Sequence, residues 1–443
     1  MRDARPAGPG CARSGREFHF RALPGPLGAT VNDRDLIHDW NEAGERWEKP
    51  AFKVQFDDET LRDGLQSPSV RTPTIEQKLG ILHLIDRLGI DTADIGLPGA
   101  GPHVVKDVTR LAQEIVSSKL AVRANCAART MQRDIEPIVD VAQKTGLAIE
   151  CCTFIGSSPI RQYAENWTEE MMLANTRDAV TFAVQQGLRV MYVTEDTVRA
   201  RPETLRRLFL TAIECGASRL CLCDTVGHAT PTGAANLVRF AKQVVLESGA
   251  DVGLDWHGHS DRGLAVANTI AAIRAGASRV HGCAIGIGER VGNTPMDQLL
   301  VNLKLLGWID NDLSALTEYC EQTSEGTGVP IPVNYPVVGA DAFRTGTGVH
   351  AAAVIKAFRK GDRWLADRVY SGVPADMVGR HQEIEVGPMS GESNVVFWLE
   401  SRNIPATPER VQAVFQRAKS VDRVLEEDEI RAVLAALDET RVS

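Results

Sequence analysis

Two histidines stand two residues apart in His257-Gly258-His259, inside a run that reads as a β-strand, DVGLDWHGH over 251–259. Side chains at i and i+2 of a strand project to one face, so both imidazoles can reach one divalent cation. A carboxylate from another strand would complete a facial set that leaves positions open for a substrate. The bland alternative for His-x-His alone is a pair of hydrogen-bonded core histidines. Two further segments have the chemistry to join it. One is Asp57-Asp58-Glu59-Thr60-Leu61-Arg62-Asp63-Gly64-Leu65-Gln66, with four carboxylates around one arginine; the other is Gly286-Ile287-Gly288-Glu289-Arg290-Val291-Gly292-Asn293. A glycine loop alone is a weak phosphate signal, and this one does not open a dinucleotide-binding strand-turn-helix unit.

These groups can act together only if the fold gathers them, and the hydrophobic pattern indicates how. Short apolar or β-branched runs begin near 53, 92, 120, 147, 188, 218, 251 and 278, and amphipathic stretches such as 75–89, 169–187, 202–215, 233–248 and 262–275 separate them. Eight βα units in succession predict a closed (β/α)₈ barrel over 50–308, ahead of a doubly wound sheet. In such a barrel the active site lies at the C-terminal ends of the strands, where all three polar segments fall. Residues 1–49 read as a Pro-, Gly- and Arg-rich flexible tail and lead-in, without the amphipathic or apolar segment that targeting requires. Beyond 308 the rhythm stops: 309–325 looks helical, 326–350 is Gly/Pro-rich, and the remainder to 443 is a mainly helical subdomain ending in a charged helix pair near 407–439.

Composition narrows the class. A net charge of -9, with basic residues scattered, argues against nucleic-acid binding, and no apolar run approaches the roughly 18 residues a membrane span needs. Nine cysteines, several inside apolar runs, point to a reducing compartment and a cytoplasmic location rather than a disulfide frame. Cys221 and Cys223 share one face of a strand and read as small buried apolar residues rather than a zinc pair.

Taken together, D-E-T-L-R-D-G-L-Q, H-G-H-S-D-R-G and G-I-G-E-R-V-G-N resemble the DRE-TIM metallolyase superfamily. They are most similar to its Claisen-condensing branch of 2-isopropylmalate, homocitrate and citramalate synthases, over about residues 50–400. The resemblance implies that Asp63, His257 and His259 bind a divalent metal, Mg, Mn or Zn, with Asn293 in or near its coordination sphere. It further implies that Arg62 contacts the substrate carbonyl, and that acetyl-CoA is condensed with a 2-oxo acid before its thioester is hydrolysed. Glu289 is a candidate for proton transfer, or else a salt-bridge partner of Arg62 or Arg290. The stretch Phe343–His350 resembles the family segment whose histidine enters a neighbouring subunit, and Tyr370 stands ten residues before Val378-Gly379-Arg380 as the family's site tyrosine does. His350 and Tyr370 are therefore expected to act in trans, in a homodimer.

The substrate wall departs from the leucine-pathway pattern. Cys152 stands where those enzymes usually carry His, and Val193 where they carry Ser, which favours a larger apolar or aromatic 2-oxo acid, phenylpyruvate included, giving benzylmalate. Gln66, Glu195 and Thr225 are expected to line the same wall. Arg161 stands much where homocitrate synthases bind the distal carboxylate of 2-oxoglutarate, but the histidine-containing stretch that follows it there is missing. Leu65 is lyase-like, whereas the G-x-G-E-R-x-G-N loop replaces the cysteine loop of the hydroxymethylglutaryl-CoA lyases, so condensation is expected over cleavage by a lyase or aldolase. Residues 309–443 leave no room for a separate leucine-regulatory domain, so that form of feedback inhibition is not expected.

Overall fold

Eight parallel strands close in sequence order in a computed structural model that describes residues 36–44 and 46–439. They are β1 (Gln55–Asp58), β2 (Thr92–Asp94), β3 (Arg123–Arg129), β4 (Ile149–Gly156), β5 (Arg189–Glu195), β6 (Arg219–Asp224), β7 (Gly253–Gly258) and β8 (Arg279–Gly282). The seam joins β1 to β8 with Asp57 opposite His281 and Asp58 opposite Gly282, so the first and last strands bring their polar ends together. The barrel expected from the periodicity is thus the observed architecture.

The connecting helices start where local chemistry lets them. Thr74 and Gln77 form a capping box before Ile75–Arg87, and the hydroxyls of Ser158, Thr168 and Thr230 accept first-turn amides of the helices they precede. Proline opens the helices Pro102–Ser118, Pro202–Glu214 and Pro231–Ser248, where a missing N–H costs nothing. Each helix turns one apolar stripe to the strands: Ile81, Leu82 and Ile85 are completely buried, and each such side chain contributes about 1.5–3 kcal/mol.

The lower barrel is filled by ions rather than by aliphatic layers. Arg279, 1% exposed, donates to Asp255 at 2.5 Å and to Glu150 at 2.6 Å, and Arg219 also donates to Asp255, at 2.5 Å. Asn125 holds Asp57 through two bonds of 2.9 and 2.7 Å. Breaking one member of such a network strands a buried charge, so it fixes the register of β1, β3, β4, β6, β7 and β8.

After the barrel the chain is helical, as expected, with altered boundaries. The helix expected over 309–325 runs instead over Leu316–Thr327, because the Asp312 carboxylate accepts the Ser314 amide at 2.9 Å and holds the preceding residues in a turn. The helix Gly348–Arg359 begins inside the Gly/Pro-rich stretch. A Cβ on Gly348 would lie 2.7 Å from the Gly391 amide nitrogen, a close approach that only glycine permits. The expected terminal pair is Pro408–Lys419 and Glu427–Glu439, which with Glu392–Glu400 buries its own core of Val395, Leu399, Val414 and Ile430. Among the described residues no helix is long and apolar enough to cross a membrane. The chain divides at Glu48 and Lys49 into two units. Within the first, Asp39 caps a 3-10 turn over Trp40–Glu42, and the tail expected over 1–30 lies outside the described residues.

Tyr319, on Leu316–Thr327, is fully buried and donates its hydroxyl to Asp58 at the end of β1. Burial pushes the Asp58 carboxyl up to about 7 from 3.8, against the Tyr319 and Thr60 hydrogen bonds. A raised carboxyl contributes stability that is fully present below pH 3.8 and is lost as pH rises through about 7. Urea midpoints of the native protein should therefore fall more steeply between pH 5 and 8 than those of Asp58→Asn; equal slopes would exclude this role.

Candidate active site

The cation-binding expectation depends on whether Asp63 meets the two histidines, and it does. Asp63 opens a short 3-10 turn, Asp63–Gln66, just after β1; His257 lies on β7 and His259 follows it. The Asp63 carboxylate is 3.3 Å from His257 Nε2 and 3.5 Å from His259 Nε2, and the two Nε2 atoms are 3.2 Å apart. All three residues are buried, at 4%, 7% and 4% exposure, so this is a small enclosed set of hard and borderline donors. Burial pulls the His257 imidazole down, but the Asp63 and Glu59 carboxylates outweigh it and push it up to about 10. Burial, then the neighbouring His257 charge, brings His259 down to about 4. Burial pushes the Asp63 carboxyl up, and Arg62 and both histidines outweigh that and hold it well below the usual carboxylate range. Two imidazole nitrogens this close can share one proton or one cation but cannot both be protonated. One carboxylate and two histidines, clustered and open on one side, fit a divalent cation.

The glycine loop brings Asn293 to the same place. His259 and Asn293 pair across an isolated antiparallel bridge, Ser260 donates to the Gly292 carbonyl at 2.9 Å, and Thr294 donates to the Gly258 carbonyl at 2.8 Å. The loop folds so tightly that a Cβ on Gly292, whose φ is +90°, would lie 1.7 Å from the Gly286 carbonyl oxygen. Asn293 donates Nδ2 to Ile287 at 3.1 Å, while its buried Oδ1 and the buried His259 Nδ1 have no hydrogen-bond partner. A buried amide oxygen without a donor beside the carboxylate-histidine set is an acceptor facing a ligand-sized need.

Arg62 is held by carboxylates on three sides. Its Nε donates to Asp94 at the end of β2 at 2.9 Å, Nη2 pairs with Glu59, and Nη1 is 3.6 Å from Asp63. Burial would weaken the guanidinium charge, but Glu59, Asp63 and Asp94 outweigh it and keep it fully charged. The result is a cation with a fixed direction at the edge of a cavity of about 380 Å³, within the usual range for a small-molecule site.

Of the residues expected at the site, Arg62, Asp63, His257, His259 and Glu289 line this cavity, and Asn293 adjoins it through His259. So do the expected substrate contacts Gln66, Cys152, Arg161, Val193, Glu195 and Thr225. Glu289 sits exposed on the rim with Arg290 at 3.4 Å, the ion-pair alternative, while Arg290 itself is held by Asp261 at 2.8 Å. Arg161 is already engaged, with Glu165 at 2.8 Å and Glu195 at 3.3 Å. His350 and Tyr370 do not line the cavity; their rings lie against each other, centroids 4.4 Å apart and tilted by 33°.

The sequence reading missed eight of the nineteen residues that line the cavity. Met191, Cys221 and Cys223 pack with Cys152 and Val193 into a sulfur-rich apolar cluster, and Ala127 and Phe154 continue it. Burial pushes the Cys152 and Cys221 thiols well up, so they are neutral and serve as polarizable apolar surface rather than nucleophiles. The same-face spacing of Cys221 and Cys223 was legible; their facing a cavity was not. Glu59, Asp94 and His281 were also missed; Asp94 and His281 stand beside apolar Ala93, Ile95 and Val280 at the ends of β2 and β8, a usable signal, whereas Glu59 follows two other carboxylates and offers none.

The HMGL-like family model matches residues 53–322. A homocitrate synthase of Methanopyrus kandleri is 34% identical over 82% of this chain and 86% of its own length. A 2-isopropylmalate synthase of Sediminispirochaeta smaragdinae is 32% identical over 83% of this chain and 72% of its own, and a putative (R)-citramalate synthase of Methanopyrus kandleri is 32% identical over 87% and 72%. Among solved structures, an HMG-CoA lyase of Bacillus subtilis superposes with a TM-score of 0.54 at 22% identity, covering 64% of this chain and 97% of its own; this likeness is one of fold.

Proposed function

The chain belongs to the HMGL-like family of DRE-TIM barrels, and from that membership and the cavity we propose that it condenses acetyl-CoA with a 2-oxo acid bearing an apolar side chain, releasing CoA. The observation that carries this reading is the two-sided cavity: Asp63, His257, His259 and Arg62 on one side, and Cys152, Met191, Val193, Cys221 and Cys223 on the other.

A divalent cation held by Asp63, His257 and His259, with Asn293 beside them, would supply Lewis-acid polarisation of the 2-oxo and carboxylate oxygens. Arg62, aimed by Glu59 and Asp94, is the protein cation available to the oxygen that becomes an alkoxide. A preorganised donor of this kind contributes about 10²–10³-fold in rate. The acetyl methyl loses a proton as its carbon bonds to C2 of the oxo acid, the alkoxide gains a proton, and water then cleaves the thioester to free CoA. Glu289 on the rim, with His350 and Tyr370 from a second copy of the chain, is the set assigned to those proton transfers. The active enzyme is then a homodimer with shared sites.

The wall decides between oxo acids. A side chain resting on thiols, Met191 and Val193 is apolar, aliphatic or aromatic, because a charged one would lose its hydration without a partner. The feature of the wall favouring a diacid is Arg161, but it is paired with Glu165 at 2.8 Å and lies 3.3 Å from Glu195, so a second carboxylate would enter beside two like charges. Thiol release measured with DTNB, in Mn²⁺ and acetyl-CoA, should appear with 2-oxoisovalerate or phenylpyruvate and be weak with 2-oxoglutarate. Silence across all three types would refute the synthase reading, and preference for 2-oxoglutarate would refute the apolar assignment.

A further inference from the structure

One buried carboxylate beneath the site, used in the steps above only to aim Arg62, also reaches a histidine of the cation set. Glu59 is 2% exposed and four residues before Asp63. Its carboxylate meets three groups: the Arg62 guanidinium, His281 Nδ1 at 2.9 Å and His257 Nδ1 at 3.4 Å. His281 continues the line, with Nε2 3.0 Å from Asp255, which Arg219 and Arg279 hold from below. A chain of alternating charge thus runs from the packed floor of the barrel to the underside of the site.

The geometry points to Glu59 as a positioning residue that fixes two functional groups at once: the tautomer and ring direction of His257, and the heading of Arg62. We propose this role for it, with His281 as the strut that keeps its carboxylate in place. The proposal rests on reading Asp63, His257 and His259 as a cation site.

The chemistry is that of an imidazole with one proton to place. A neutral ring offers a lone pair at one nitrogen only when the other carries the hydrogen. His257 turns Nε2 toward Asp63 and His259 Nε2, and Nδ1 toward Glu59, so the carboxylate below draws the hydrogen to Nδ1 and leaves Nε2 as the donor atom. His259 has no such support, since its buried Nδ1 meets no acceptor. His257 is therefore the orientationally fixed ligand of the two. The same carboxylate shares the Arg62 guanidinium with Asp94 and Asp63, so a loss at position 59 would leave the arginine to those two and free its Nη2.

Two substitutions separate these duties. Glu59→Gln keeps an oxygen that can accept from His257 Nδ1 but removes the charge facing Arg62. Glu59→Leu removes both. Each full-length variant is checked for fold by circular dichroism and thermal midpoint, and Mn²⁺ binding is measured by equilibrium dialysis without substrate. Glu59→Leu should lose Mn²⁺ affinity by about 10- to 100-fold, the usual effect of removing a partner behind a histidine ligand. Glu59→Gln should bind Mn²⁺ within about threefold of the native protein while lowering kcat for 2-oxoisovalerate or phenylpyruvate more than it raises KM. A folded Glu59→Leu protein that binds Mn²⁺ as tightly as the native one overturns the proposal. So does a Glu59→Gln protein with unchanged kcat, which decides the matter if the leucine variant does not fold. Absence of Mn²⁺ binding by the native protein overturns the cation-site reading beneath it, and is recognisable because every variant then behaves alike.

Discussion

Asp63→Asn is expected to remove cation binding and turnover together. Asp63 is the single anion at the junction of three positive or proton-sharing groups, 3.6 Å from Arg62, 3.3 Å from His257 and 3.5 Å from His259. The substitution keeps its volume, so the buried turn should still pack, but it takes away the charge that both a divalent cation and the imidazoles require. A site that loses a carboxylate ligand and its main electrostatic element should lose roughly 10³-fold in kcat/KM or more. Mn²⁺ dialysis should report the loss of binding in parallel. Activity within tenfold of native, in a protein of native thermal midpoint, would mean that the Asp63–His257–His259 set is structural.

The second large effect is expected at His350. His350 and Tyr370 lie against each other on the helical part of the chain, the tyrosine 49% exposed, beside Val349 at 75% exposure. Neither lines the cavity that holds Arg62 and Asp63. In the shared-site arrangement proposed above, this pair serves as acid or base in the cavity of a second copy, and His350→Ala should then cost about 10²–10⁴-fold in kcat. The discriminating measurement is complementation. His350→Ala and Arg62→Ala chains, each nearly inactive, should recover on subunit exchange, because half of the random dimers carry one intact site and the mixture approaches about a quarter of native activity. Exchange proved by a tag, without recovery, would refute the shared-site arrangement, and a His350→Ala protein of native kcat would place His350 outside the reaction.

The βα rhythm needed only local pattern, since a strand buried on both faces and a helix with one apolar stripe each write their period into neighbouring residues. All eight strands appear where that rhythm put them, each starting within three residues of the expected position. The helix start at Leu316 was misread because the Asx turn at Asp312 competes with helix, a contest that apolar periodicity does not register. The cavity shows the same division. His257 and His259 were identifiable because same-face spacing and position at a strand end are properties of short segments, whereas Asp63 was singled out among four carboxylates only by the family resemblance. Glu59, His281 and Asp255 were not, because their meeting depends on closure of β1 upon β8 and on the register of β7 with β8.

What this sequence determined by itself is therefore the barrel, the rim on which the chemistry stands, and the donor types available there, all of them consequences of 2.0- and 3.6-residue periods. Tertiary structure alone decided which groups share a charge. Arg161 is engaged by Glu165 and Glu195, Arg62 is shared among Asp94, Glu59 and Asp63, and four sulfur side chains from three strands make one wall. Those pairings join residues tens to hundreds of positions apart. They are fixed by the stagger of a closed sheet, and electrostatic interaction falls off over a few ångströms in a way that no local pattern encodes.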